Sequence, residues 1–208
     1  MKSIIPATLT QESPLVLACS PRKGGNSDAA AALLAEGLTA AGATPLLLRL
    51  RDLDITPCRG CQACGRDPEH RCVLMERDQS EELFRLIMAA PVLFFAAPIF
   101  YYHLPAMFKG FIDRGQRHYE ARLAGDPALC ALAPRQAHMC MVSGRPRGEK
   151  LFEGSLLTMR YFLWPFNVTL GEPLLLPGYD APGDLSGDES ARARVREFAS
   201  GAWTAVGR

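Results

Sequence analysis

No stretch of this 208-residue chain is apolar for long enough to cross a bilayer. The longest candidate, Ala89 to Ile99, is short and is broken by Pro91 and Pro98. The N-terminal residues MKSIIPATLTQESP hold one Lys and few apolar side chains, so they lack the apolar block of a secretory signal. Excess charge is also missing. Lys and Arg number 23 against 22 Asp and Glu, a net charge of +1, which gives no reason to expect nucleic acid or an anionic membrane as partner. No internal repeat, low-complexity tract or linker divides the sequence. The expectation is a cytoplasmic protein with an N-terminal arm over residues 1–12 and one α/β domain over residues 13–208.

What is present is an alternation of apolar runs and amphipathic stretches. PLVLAC (Pro14 to Cys19) reads as a buried parallel strand that stops at Ser20-Pro21. From Ser27 the pattern turns helical, with Ala30, Leu34, Leu38 and Ala41 on one face and Gly42 ending it. LLLRL (Leu46 to Leu50) is a second strand, and Pro45 before it suits an edge. Ser80 is placed to cap a helix with Leu83, Leu86, Ile87 and Ala90 inward. VLFFAA (Val92 to Ala97) is a third, central strand. Pro105 fits the first turn of a helix that turns Phe108, Phe111 and Ile112 inward. Residues 121–136 read as irregular. AHMCMVS (Ala137 to Ser143) is a fourth strand, and a helix spans about Leu151 to Trp164. Val168 to Leu176 is a fifth strand, at an edge because of Pro173. Ser186-Gly-Asp-Glu189 reads as a capping box for a last helix with the stripe Ala191, Val195, Phe198, Ala202 and Val206. Five strand–helix repeats imply one parallel sheet with helices on both faces. Two edge strands, the second and the fifth, give the order 2-1-3-4-5, a flavodoxin-like three-layer sandwich.

Loops at the carboxyl ends of such strands line the ligand crevice. The first of them, SPRKGGNS (Ser20 to Ser27), opens onto a helix N-terminus, where free N–H groups and the helix dipole favour an anion. Ser20, Asn26 and Ser27 offer side-chain donors, Gly24 and Gly25 let the backbone fold closely, and Arg22 and Lys23 add positive charge. The alternative is a plain turn with a capping residue and two solvated cations. A nucleotide P-loop is excluded because no GK[ST] follows the glycines, and the spacing is not that of G-x-G-x-x-G.

These residues carry a resemblance. Ser20 to Ser27 resembles the S-P-R-x-x-G-N-S loop that holds the FMN phosphate in NADPH-dependent FMN reductases. Ala97-Pro98-Ile99-Phe100-Tyr101-Tyr102 resembles the family's S-P-I-Y-[FW] loop beside the isoalloxazine ring, with Phe100 in place of its Tyr. Leu104 to Arg114 resembles the V-P-A-x-x-K-x-F-I-D-R helix that follows. The similarity runs with gaps from about residue 14 to residue 185. It implies FMN held by Ser20, Arg22, Lys23, Gly25, Asn26 and Ser27 at the phosphate and by Pro98, Ile99, Phe100 and Tyr101 at the ring. Ser143 and Gly144, ending the fourth strand on the same rim, flank the ring from the other side. Taken without the resemblance, each of the three aromatics reads as well as part of a core cluster. Asp113 and Arg114 read as a structural pair.

Seven Cys remain to be placed, in a compartment where disulfides are uncommon. Cys58-x2-Cys61-x2-Cys64-x7-Cys72 wraps the chain compactly, the way thiolates hold a [4Fe–4S] centre. Zinc, free thiols beside a flavin, and disulfides are the alternatives. The spacing also resembles the iron–sulfur flavoproteins, although Met75-Glu76-Arg77-Asp78 stands where relatives often have Asp-Asp-Met. The loop follows the second strand, so the expected position is next to the phosphate loop, near the flavin. Cys19 and Cys140 fall in strands as core residues; Cys130 has no evident partner. His70 reads as a solvated loop residue, His103 as a cap for the next helix, and Arg145, Arg147 and Lys150 as a surface cluster able to attract an anion such as a nicotinamide phosphate.

Three functions follow. The first is an FMN-dependent oxidoreductase with a [4Fe–4S] cluster on Cys58, Cys61, Cys64 and Cys72, NAD(P)H as a possible reductant and no catalytic side chain required. The second is a flavodoxin-like electron carrier without enzymatic turnover. The third is a cluster-free NAD(P)H-dependent FMN or quinone reductase with free or zinc-bound Cys. The resemblance implies a homodimer or homotetramer, with the aromatic-rich helix after Pro105 as an interface, and admits a redox protein such as a ferredoxin as partner.

Overall fold

Leu15–Ala18 (β1) and Val92–Pro98 (β3) are buried at every residue, as strands covered on both faces must be. The structure, a computed structural model, describes residues 13–206, so the expected arm at 1–12 lies outside the described residues. Between β1 and β3 come α1 (Asn26–Ala40), β2 (Leu46–Arg49), the short α2 (Ala63–Arg66) and α3 (Ser80–Ala89). After β3 follow α4 (Ala106–Arg114), α5 (Gln116–Leu123), α6 (Pro127–Cys130) and β4 (Arg135–Ser143). The chain ends with α7 (Glu153–Leu163), β5 (Val168–Leu170), β6 (Leu174–Pro177), α8 (Asp184–Gly187) and α9 (Glu189–Val206). The strands pair in parallel in the order β2-β1-β3-β4-β5, with β6 also on β4. This is the expected flavodoxin-like order. No helix among the described residues is long and apolar enough to cross a membrane.

The period of two divides each strand between two cores. Leu15 and Leu17 of β1, with Leu93 and Phe95 of β3, pack under α3, α4 and α7 against Phe84, Phe108, Phe111 and Phe162. Val16 and Ala18, with Phe94 and Ala96, face α1 and α9 through Leu34, Leu38, Val195 and Ala199. The two helices of that second layer touch at Gly37. A Cβ there would lie 2.3 Å from the backbone oxygen of Arg196, so only glycine lets them approach this closely. Gly37→Ala is expected to cost about 1–3 kcal/mol through overpacking, read as a fall of several degrees in the thermal midpoint.

Five sequence expectations change. The fifth strand is two: β5 pairs with Arg135–Ala137 and β6 with Cys140–Ser143 on the same free side of β4, separated at Gly171–Pro173 where the proline has no N–H to give. Ser80 is the first residue of α3 rather than its cap; its N–H donates to Asp78 Oδ1. The last helix is capped by Asp188, whose Oδ1 accepts the N–H of Ala191, rather than by Ser186. Ala199 replaces Val206 in the buried stripe, and Val206 is exposed. Finally, residues 121–136 are not irregular: the end of α5, all of α6 and the start of β4 lie there.

Candidate functional site

The loop after β1 is shaped by one left-handed glycine and by bonds from several directions. Gly24 has φ +71°, and its N–H donates to Asp28 Oδ2 at 2.8 Å. Asp28 in turn pairs with Arg51 at 2.8 Å, and Arg51 also donates to the Ser20 carbonyl. An acidic residue in the first turn of α1 would otherwise repel an anion at that helix end. Pairing with Arg51 offsets its charge. Ser20 Oγ turns back to Arg22, accepting from its N–H at 3.2 Å. The Arg22 guanidinium lies over Gly25, where an added Cβ would meet its Nε at 3.0 Å.

Asn26 is built in more firmly than its side-chain chemistry alone suggests. Its Nδ2 donates to the carbonyls of Tyr179 and Ala181, at 3.1 and 2.9 Å, and its Oδ1 accepts the N–H of Leu185. It ties the first loop to the segment after β6, so the amide expected to face a phosphate faces another loop instead. The Tyr179 hydroxyl donates to Asp188 Oδ2 at 2.7 Å, which carries the tie on to the start of α9.

The loop after β3 makes a tight hairpin. Phe100 and His103 exchange backbone hydrogen bonds at 2.8 and 3.0 Å, and the two residues between them, Tyr101 and Tyr102, have φ of +48° and +62°. Two positive-φ central residues define the mirror-image turn that normally takes Asn-Gly. Bulky side chains there are held against their preference. The turn leaves Tyr101 fully exposed and Phe100 and Tyr102 partly so, which refutes a core aromatic cluster. Arg145 stacks over the Tyr102 ring at 5.8 Å. His103 does not cap α4, whose N-cap is Pro105; its Nε2 lies 3.2 Å from Thr158 Oγ1 on α7.

These loops close one cleft of about 500 Å³, lined by Arg22, Asn26, Ser27, residues 98–102, Ser143, Gly144 and the turn at Tyr179–Asp180. A Cβ on Gly144 would fall 2.2 Å from Asp180 Oδ1, so any larger residue there would push the exposed Asp180 side chain aside. Ser20 and Gly25 lie in the supporting loop behind this lining. Lys23 departs from expectation: it borders a separate recess with Arg49, Arg51 and Asp52. Residues 179–185 were not anticipated as part of the site, since no local signal marks a loop so far along the chain.

The four cysteines of the second loop line a different cavity, of about 640 Å³. Left-handed backbone at Gly60, Gln62 and His70 curls the loop, and His70 Nδ1 is 3.0 Å from the Cys64 carbonyl. Burial pushes the Cys64 thiol up, and the nearby Cys72, Glu120 and Cys58 push it further. Facing the cysteines are Arg114 at the end of α4 and Gln116, Arg117 and Glu120 of α5. The cavity shares no lining residue with the cleft. It lies at the far end of α4, nine residues or about 13 Å along the helix from the aromatic hairpin, so the cysteine loop does not itself line the cleft. Among the described residues, no three His, Cys, Asp or Glu side chains converge closely enough to hold a single metal ion. Cys19 and Cys140 are core residues as expected, with burial raising the Cys140 thiol to about 12.

The model of the NADPH-dependent FMN reductase family matches residues 14–145. The chain belongs to that family. Two curated relatives are similar to this FMN reductase family member over 95 residues. The iron-sulfur flavoprotein of Archaeoglobus fulgidus is 33% identical, over 46% of this chain and 41% of its own. The iron-sulfur flavoprotein of Methanosarcina thermophila is 30% identical, over 46% and 48%. The match thus spans less than half the length of these relatives. A solved structure described as a flavone reductase superposes with a TM-score of 0.67 at 16% identity, covering 94% of this chain and 63% of that one, which shows the shared fold. One expectation about this family member's assembly changes. The aromatics of α4, Phe108 and Phe111, are fully buried, so they offer nothing to a second copy. Leu157 and Tyr161 of α7, Trp164 just beyond it and Tyr119 of α5 are among the large apolar side chains left exposed nearby.

Proposed function

We propose that this protein is an FMN-dependent oxidoreductase that takes electrons from a reduced nicotinamide and holds a [4Fe–4S] cluster on Cys58, Cys61, Cys64 and Cys72. One observation carries the flavin reading: loops far apart in sequence close a single cleft with a helix N-terminus and an arginine at one end and exposed flat side chains at the other. A flavin mononucleotide has that polarity, a dianionic phosphate on one end and an apolar ring on the other. A volume of about 500 Å³ suits a small cofactor. The N-terminal N–H groups of α1 and the Arg22 guanidinium fit the phosphate. The hairpin at Phe100–His103 and the Ser143–Gly144 backbone fit the ring and its polar edge.

Bound flavin supplies the electron chemistry, and the chain's own residues bind and orient it. Arg22 neutralises the phosphate. The hairpin presents Phe100, Tyr101 and Tyr102 as flat apolar surface, and Arg145, stacked on Tyr102, brings positive charge to the mouth where the phosphates of a nicotinamide enter.

Support for the cluster comes from four thiols ringing one cavity and from the curated relatives' names. Zinc takes four ligands on one ion, usually from two separated C-x-x-C pairs, and the run Cys58-x2-Cys61-x2-Cys64 fits that pattern less well. A cluster spreads its thiolates over separate irons, which suits a ring of cysteines better.

The test is one anaerobic preparation assayed for flavin, iron, sulfide and zinc, then for NADPH oxidation. Titration into FMN is expected to quench its fluorescence and raise the protein's thermal midpoint; the absence of both effects would sink the flavin reading. Flavin without turnover favours the carrier. Turnover without iron or sulfide favours a cluster-free reductase.

A further inference from the structure

The recess on the outer side of the first loop is separate from the flavin cleft. It has a volume of about 550 Å³ and is bordered by Lys23, residues 24–25, Asp28, Arg49, Arg51 and Asp52. Parallel pairing sets Arg49, the last residue of β2, beside Ala18, the last residue of β1. The period of two puts Arg49 on the same face as Leu47, which packs with the core under α1. Arg49 therefore stands next to Lys23 and the first turn of α1. One loop divides the two hollows: Arg22, Asn26 and Ser27 line the cleft, and Lys23, Gly24 and Gly25 line the recess.

Three cations of the recess meet two carboxylates. Both carboxylates turn to Arg51, Asp28 at 2.8 Å and Asp52 at 3.9 Å, and Asp28 also accepts the Gly24 N–H. Lys23 and Arg49 are exposed, and neither side chain has an ion pair or hydrogen bond among the described residues. Two uncommitted cations on one concave recess suit a phosphate monoester. The cleft says where such a phosphate comes from. A reduced nicotinamide that serves the flavin brings its ring to the hairpin end and its paired phosphates to Arg145. That residue follows β4, which lies three strand spacings from β2, about 14 Å. An extended dinucleotide covers this span and delivers its adenosine end to the end of β2. By analogy, in other doubly wound sheets a carboxylate shortly after the first strand–helix unit takes the adenosine ribose 2′-hydroxyl, and an arginine there accommodates a 2′-phosphate.

We propose that Lys23 and Arg49 bind the 2′-phosphate of a reduced nicotinamide dinucleotide and so select the phosphorylated coenzyme over the unphosphorylated one. The inference rests on the reductase reading above and deepens it. Asp52 is the rival group: a carboxylate that took the ribose 2′-hydroxyl would reverse the preference. Its place beside Arg51 leaves the two free cations to decide.

The test uses the full chain saturated with FMN, so that the cleft's own phosphate site is filled. It is titrated calorimetrically with adenosine 2′,5′-bisphosphate and with adenosine 5′-monophosphate, which lacks the 2′-phosphate. The bisphosphate is expected to bind about tenfold more tightly or better. The double variant Lys23→Gln with Arg49→Gln is expected to erase that preference. Its KM for NADPH should rise about tenfold while kcat changes less than about twofold, the mark of lost binding rather than lost chemistry. Equal affinity for the two probes, a lower KM for NADH than for NADPH in the unaltered protein, or a preference that survives the double variant overturns the proposal. So does inorganic phosphate that competes as tightly as the bisphosphate, since the recess would then be a free-phosphate site. Oxidation of neither coenzyme by the unaltered, FMN-loaded protein overturns the reductase reading, and the proposal with it, before any variant is made. If the double variant fails to quench FMN fluorescence, the decision passes to hydrogen exchange in the unaltered protein. Slower exchange over residues 46–52 with the bisphosphate but not with the monophosphate supports the proposal, and no difference refutes it.

Discussion

Asp78→Ala is expected to destabilise the protein by about 3–5 kcal/mol, the loss typical of a buried ion pair broken on one side. The neighbouring groups explain the size. Asp78 and Arg114 have fully buried side chains 2.5 Å apart. Asp78 also accepts the N–H groups of Thr56 and Ser80, so one carboxylate fastens the cysteine loop, the start of α3 and the end of α4. Alanine leaves the Arg114 charge buried with only the Thr56 carbonyl, and two backbone donors without their acceptor. At about 2 kcal/mol/M the urea midpoint falls by roughly 1.5–2.5 M. The pair also sets a pH dependence. Burial alone would raise the Asp78 carboxyl, but hydrogen bonds from Ser80, Thr56 and Arg114 outweigh it and hold the group below its ordinary value. Its contribution is therefore complete above the unfolded value, near pH 4, and is lost as pH falls through the depressed folded value. Urea midpoints measured across that window should drop less in Asp78→Asn than in the unaltered protein.

Asn26→Ala is expected to weaken FMN binding about 10- to 100-fold, or ~1.4–2.8 kcal/mol. The effect comes from the wall of the cleft rather than from a lost phosphate contact. The Asn26 amide makes three hydrogen bonds to the segment 179–185, and alanine leaves two carbonyls and one N–H without it. The Tyr179–Asp180 turn then loses its register with the first loop. Lys23→Ala is the matched control. Lys23 borders the recess beside Arg49 and Arg51, outside the cleft, so its loss should change affinity less than threefold. Fluorescence titrations of the two variants side by side decide the matter. A tenfold effect at Lys23 with none at Asn26 would restore the pattern expected from residue type alone.

The alternation of strands and helices, the strand order and the two loops at the cleft could all be read from sequence, because apolar runs and prolines carry those signals locally. Several contacts could not. Asn26 looks like a phosphate donor because amides suit phosphates; its actual partners lie more than 150 residues away, and nothing local announces them. Asp113 and Arg114 look like a pair but are neighbours on a helix, where successive side chains diverge by about 100°. Each pairs elsewhere, Asp113 one turn back with Lys109 and Arg114 across the fold with Asp78. The helix α5, QRHYEARL, has no apolar stripe to betray it. Only His118 and Ala121 are buried, and Arg117 anchors the helix to Glu81 of α3. His118 sits between Phe84 and Phe166, and burial followed by the Arg117 charge pushes it well below its ordinary value, so it behaves as one more core ring.

The interrupted outer border of the sheet limits how molecules of this protein can join. A long, flat outermost strand offers a continuous row of unmatched amide and carbonyl groups on which a neighbouring chain can build. Here one border is the four-residue β2, entered through Pro45, and the other is split into pieces of three and four residues by Gly171–Pro173. Both borders are short, a feature that blunts a sheet edge against ladder growth through a second molecule.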